Sequence, residues 1–212
     1  MKHRLFRAIL FFAIISMAIV AFTPAYARAV SGDVITKSSP ALLDFVAAVK
    51  NGEAKTVRGV YVESLLSFPV IQQPDGNNGY VSNDAGVVTQ YRSAAKYGTI
   101  GLLAHNNLAG INFSLLAKGQ RIDIVYGNGR IIEYEVTSIY RYQALQPNSG
   151  TSPFVNPDDG KTYTAWDVFQ LVYTGGDHVV FQTCIESDGI LNWGRLFIIA
   201  TPVQESDLVN SD

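Results

Sequence analysis

The chain has one cysteine, Cys184, and it ends the apolar run HVVFQTC at 178–184. A thiol acts as a nucleophile only as thiolate, and it needs a partner that moves protons. Arg195 enters a second apolar run, GRLFIIA. If the two runs pair antiparallel, Cys184 and Arg195 meet at neighbouring strand ends. A guanidinium beside a thiol favours thiolate, and it can hold a carbonyl or support an oxyanion. The proton carrier would be a histidine. His178 lies on the same strand as Cys184, about 20 Å away at roughly 3.3 Å per residue, too far for contact. His105 follows the apolar run GTIGLLA at 98–104 and is left as the candidate, provided that run lies beside 178–184. The bland alternatives are a buried structural thiol, a half-buried histidine and a salt-bridged strand arginine.

Composition bounds what such a site could serve. The 212 residues are 48% hydrophobic and 16% charged, which excludes a disordered chain. A formal charge of −2 argues against a nucleic-acid partner. A single cysteine excludes an intrachain disulfide and a Cys-rich zinc site. Asp158-Asp159 reads as a solvated turn, since calcium needs six or more oxygens. No metal or cofactor is expected.

Residues 1–27 carry an address. Lys2, Arg4 and Arg7 precede an uncharged apolar run over 8–22, and Thr23-Pro24-Ala25-Tyr26-Ala27 supplies a small-x-small site. This pattern predicts a secretory signal peptide cleaved after Ala27. The run is shorter than the ~20 residues of a spanning helix, and an uncleaved signal-anchor is the competing reading. Either reading delivers the rest of the chain outside the cytoplasm, secreted or at the cell surface. Contact with a membrane is then expected only through an uncleaved N-terminus.

The elements that must position the site follow from patterning. Residues 28–56 are a linker with a short helix at 39–52, N-capped by Ser39 with Pro40 in its first turn. From 57 onward the pattern is β. VRGVYVESLLSFPVIQQ (57–73) is β-rich, with Pro69 marking an edge or a break. A helical turn at 91–97 precedes the buried strand 98–104. IDIVYGNGRIIEYEV (122–136) is a hairpin whose second strand continues to 144. A loop at 146–161 and a short helix at 165–173 are placed to wall a site. Strand 178–184, a loop at 185–193 and strand 195–201 complete the domain, and 203–212 is a polar tail. Many short strands between turn clusters predict a barrel or sandwich.

The chemistry-bearing segments resemble one family. Thr183-Cys184 ending a strand, with Arg195 downstream in GRLFIIATP, resembles the C-terminal signature of sortases. Leu103-Ala104-His105-Asn106 resembles the segment that carries their histidine. Phe113, Leu116 and Lys118-Gly119-Gln120-Arg121-Ile122, then Tyr134-Glu135-Val136, resemble the run between. Ser67-Phe68-Pro69-Val70 resembles an upstream strand. The likeness spans about 57–201. It departs from the family at Gln182, where an aliphatic residue is usual, at Gln120, where Asp is frequent, and in a leader that looks cleavable. The resemblance implies an all-β fold, a closed barrel over 57–202 with a few short helices. It implies a cysteine transpeptidase in which Cys184 attacks, His105 moves protons and Arg195 orients the substrate and supports the oxyanion. Thr183, Asn106 and Trp193 are candidate substrate contacts. The implied partners are surface-protein or pilin substrates bearing a sorting motif, and an amine acceptor such as peptidoglycan. A secreted cysteine peptidase that only hydrolyses, or a non-catalytic β-barrel binding domain, remains open on sequence.

Overall fold

The computed structural model describes residues 39–204. The expected signal peptide at 1–27 and the tail from 205 lie outside the described residues, as does the linker up to 38. Helix α1 (Pro40–Val49) opens the described chain, with the Ser39 hydroxyl accepting from the Leu42 N–H at 3.3 Å. Strands β1 (Val57–Val62) and β2 (Leu66–Gln72) form a hairpin, followed by β3 (Val88–Tyr91). Helix α2 (Arg92–Ala95), strand β4 (Ile100–Leu103) and helix α3 (Gly110–Phe113) come next. Strands β5 (Arg121–Tyr126) and β6 (Ile131–Ala144) form the expected long hairpin. The short pair β7 (Phe154–Val155) and β8 (Thr162–Tyr163) leads into helix α4 (Ala165–Tyr173). Strands β9 (Val179–Ser187) and β10 (Ile190–Pro202) finish the domain.

Eight strands run in the order β10-β9-β4-β3-β2-β1-β5-β6, and a further β6–β10 pairing closes them into a barrel. Closure gives each of those eight strands a pairing partner on both sides. The barrel interior is filled by alternate residues, among them Val60, Val88, Leu102, Ile124, Tyr134, Phe181 and Ile198. Tyr134 has its ring in this core, and its hydroxyl donates to Asp177 at 3.0 Å. On the outside, α1 lays Leu42, Phe45, Val46 and Val49 against Tyr61, Val125 and Ile131. Gly59 permits this approach, because a Cβ there would lie 2.7 Å from the Phe45 ring. A second outer layer covers β9, β10 and β6. It buries Val168, Val172 and Tyr173 of α4 with Phe154, Tyr142, Val180 and Phe197. No helix among the described residues is long and apolar enough to cross a membrane.

Three expectations are corrected. Pro69 neither breaks a strand nor ends one: it lies inside β2, opposite Gly59 of β1. Pairing of β2 with β3 starts only at Val70, so the missing N–H of Pro69 costs no ladder bond on that side. The expected loop at 185–193 is instead a strand pair, β9 and β10, turned at Asp188 (φ 53°) and Gly189 (φ 76°). Two adjacent positive φ values are the geometry of a tight primed hairpin turn, for which Asp-Gly is a favoured pair. Within the expected loop at 146–161, β7 adds to the edge of β6.

Asp123 on β5 sits directly opposite Glu133 of β6. Burial, reinforced by the charges of Glu133 and Glu63, pushes its carboxyl from 3.8 up to about 6. The folded chain therefore holds a proton that the unfolded chain has already released. Stability falls as pH rises from 3.8 to about 6 and stays reduced above that. Thermal unfolding of Asp123→Asn should show a raised midpoint above about pH 6 that vanishes on the acid side of 3.8.

Candidate functional site

Strand register builds the site. Strand β9 is paired on both sides, parallel to β4 and antiparallel to β10. On the β10 side Cys184 is the direct partner of Arg195, so both side chains project from the same face of the sheet. On the β4 side Leu103 pairs with Gln182, and the Ala104 N–H donates to the Gln182 carbonyl at 3.2 Å. Alternation then puts Ala104 in the barrel core and His105 on the outer side, level with Cys184. The condition set on sequence, that 98–104 lie beside 178–184, is met by this pairing.

A turn fixes His105 as the chain leaves β4. Its carbonyl accepts from the N–H groups of Leu108 and Gly110, each at 3.0 Å. Gly110 begins α3, which packs against β9. A Cβ on Gly110 would collide with the Thr183 hydroxyl and with the carbonyls of Ala104 and His105. Only glycine allows this approach of α3 to the loop that holds His105.

His105, Cys184 and Arg195 all line one cavity of about 320 Å³ on the outer face of the barrel. Each of the three is partly exposed. Aromatic and aliphatic side chains make most of the wall, including Phe154, Val168, Phe169, Tyr173 and Phe197. Among the described residues no carboxylate lines the cavity and Arg195 makes no ion pair. Its guanidinium is instead held by carbonyls. Nη1 donates to Asn192 at 3.1 Å and Gly194 at 2.9 Å, and Nη2 donates to Pro147 at 3.2 Å. Nε–H and the second Nη2–H make no protein hydrogen bond among the described residues. A partly exposed cation held by three carbonyls, with two spare donors, can bind a carbonyl or a developing oxyanion. No cluster of three or more His, Cys, Asp or Glu side chains that could hold a metal ion occurs among the described residues.

The remaining expected contacts fall differently. Thr183 is on the wall, but its side chain is 4% exposed and its hydroxyl is turned against Gly110, away from Cys184. That hydroxyl has no hydrogen-bond partner among the described residues. Asn106 does not line the cavity: its Nδ2 donates to the Leu191 carbonyl at 3.0 Å and ties the His105 turn to β10. Trp193 is also off the wall. It belongs to an extra-residue bulge, because the β9–β10 register shifts between Ile190 and Gly194. His178 is structural, with Nε2 at 2.9 Å from the Val172 carbonyl. The loop and helix expected to wall the site do so, through Ser149, Gly150, Ala165, Val168, Phe169 and Tyr173. Gln182 and Tyr91 also line it, and the sequence reading gave neither a role. The strand alternation that exposes Cys184 would have exposed Gln182 too.

The chain is similar in fold to solved sortases. Sortase A from Corynebacterium diphtheriae, in a lid mutant, is 17% identical with a TM-score of 0.48, over 82% of this chain and 86% of that one. Sortase A of Listeria monocytogenes is 14% identical with a TM-score of 0.46, over 70% of this chain and 87% of that one. Sortase C-1 from Actinomyces oris is 16% identical with a TM-score of 0.46, over 78% and 81%. No family model matches the sequence, and no curated protein matches it. The chemistry of this chain is therefore read from its own residues.

Gly110→Ala should destabilise the protein by about 1–3 kcal/mol, the usual cost of forcing atoms into a packed site. Gly150, where a Cβ would meet nothing within 4 Å, is the control. Thermal unfolding of the two alanine variants separates them: a matching loss in Gly150→Ala would rule out the close approach as the cause.

Proposed function

We propose that this protein is a sortase-like cysteine transpeptidase acting outside the cytoplasm. One observation carries the reading: His105, Cys184 and Arg195 line the same cavity, at positions set by the pairing of β4, β9 and β10. The Cys184 thiolate attacks the carbonyl carbon of a peptide bond in a substrate sorting motif. Arg195 supports the oxyanion of the tetrahedral intermediate through its unused N–H groups. The C–N bond breaks as His105 gives its proton to the leaving amine. A thioester on Cys184 remains. An acceptor amine then attacks the thioester, His105 takes its proton, and the thiolate leaves as a new amide bond forms.

The substrates in this reading are surface proteins or pilins bearing a sorting motif. The acceptor is an amine of the peptidoglycan or of another pilin subunit. The leader-like segment at 1–27 supports export. Hydrolysis would use the same residues with water in place of the amine, so the acceptor distinguishes the two activities.

Intact mass spectrometry of the protein mixed with a pooled library of sorting-motif peptides tests the proposal, with Cys184→Ala as control. The expected result is an acyl adduct on wild type, absent from the control and discharged to a peptide–amine product by added amine. Discharge to free acid alone, whatever amine is present, would make the protein a peptidase. Absence of any adduct from a folded protein would favour a binding domain. The mechanism also needs thiolate and imidazolium together, so the acylation rate should follow a bell-shaped pH profile. A flat profile would remove His105 from the scheme.

A further inference from the structure

Gln182 lies on the same face of β9 as Cys184, about 7 Å away along the strand. It also lines the cavity. Its Oε1 accepts the hydroxyl proton of Tyr173. The Tyr173 side chain is 2% exposed, and its hydroxyl has no other acceptor among the described residues. In this orientation of the amide the phenol gives its proton to Oε1, the one acceptor it reaches among the described residues. Tyr173 cannot easily turn away. Its ring is gripped by Tyr91 at 5.3 Å, Phe169 at 5.2 Å and Phe197 at 6.3 Å between centroids. Gly101 makes room for the ring, because a Cβ at that position would lie 3.1 Å from it. The Nε2 amide of Gln182 is left as a donor with no protein partner among the described residues.

We infer that Gln182 is a specificity-determining residue, whose Nε2–H donates to a hydrogen-bond acceptor on a substrate side chain two residues from the scissile one. This rests on the proposed acyl transfer at Cys184. An extended peptide advances about 3.3 Å per residue, so the step from Cys184 to Gln182 spans two substrate residues. The cavity that Gln182 lines is largely apolar, with Val81, Leu103, Val168 and Phe197 among its walls. An aliphatic substrate side chain seated there would strip water from Nε2–H and give nothing back. A carboxamide or hydroxyl would satisfy it. A site that buries an unpaired donor rejects the isostere lacking an acceptor, here on the order of 10-fold to 100-fold.

The test is a peptide library in which every position is sampled by the near-isosteric pairs Asn/Leu and Thr/Val, read as the relative rate of acyl-adduct formation on Cys184. Wild type should prefer Asn over Leu and Thr over Val by on the order of 10-fold or more at one position, two residues from the acylated one. The double variant Gln182→Met with Tyr173→Phe removes donor and acceptor together, the replacement least disruptive to packing. Its preference at that position should collapse or invert. Gln182→Glu keeps the acceptor for Tyr173 and removes the donor, so it should also lose the preference, whether or not the double variant folds. Wild-type ratios retained in either folded variant would overturn the inference and leave the acyl transfer standing. So would adducts on wild type with no acceptor preference at that position. No adduct with any peptide on wild type would overturn the acyl transfer and this inference with it.

Discussion

Strand β9 is the constraint on which the rest depends. It is paired with β10 on one side and, over Val179–Gln182, with β4 on the other, so its register cannot slip without turning Phe181 out of the barrel and Cys184 into it. Burial of Val179, Phe181 and Ile198 inside the barrel therefore fixes where the thiol points. The same register sets Arg195 opposite Cys184 and brings the end of β4, with His105, alongside. The three side chains need no mutual attraction to meet. The backbone ladder and the core bring them together, which leaves their charges and protons free for chemistry.

The outer layer converts that alignment into a cavity. Helix α4 and the β7–β8 pair bury aromatic rings against β9 and β10, and the space left beside Cys184 is walled mostly by apolar groups. In such a wall a hydrogen-bonding group has few competitors and little water. Arg195 is held there by three backbone carbonyls and not by a carboxylate, so its positive charge is positioned but not neutralised. One of those carbonyls, on Pro147, belongs to the β6–β7 connection, whose Ser149 and Gly150 line the cavity. The arginine is thus both a candidate oxyanion support and the tie that holds a cavity wall.

Legibility in the sequence followed locality. Helices α1 and α4 were readable because caps and periodicity lie within a few residues. Thr164 and Asp167 form a capping box at the start of α4, and Ser39 caps α1. The β5–β6 hairpin was readable from Gly127-Asn128-Gly129 between alternating runs. The Asp188-Gly189 turn carried an equally local signal. The apolar Ile190 and Leu191 beyond it, now exposed, belong to β10 and not to the loop expected there.

The candidate trio was legible as residue types in order: one thiol, one histidine in reach by elimination, and one arginine entering the next strand. What the sequence by itself determined was therefore a β-rich chain, its turns and short helices, and which groups could do chemistry. Tertiary structure alone decided that β4 runs parallel to β9, that the sheet closes through β6 and β10, and that Gln182 and the α4 aromatics share the cavity with Cys184. It also decided against Asn106, Trp193 and the Thr183 hydroxyl as cavity groups facing Cys184. The reason is physical. Periodicity says which side of a strand a residue occupies, whereas pairing between distant strands is fixed by how all the buried faces fill one interior.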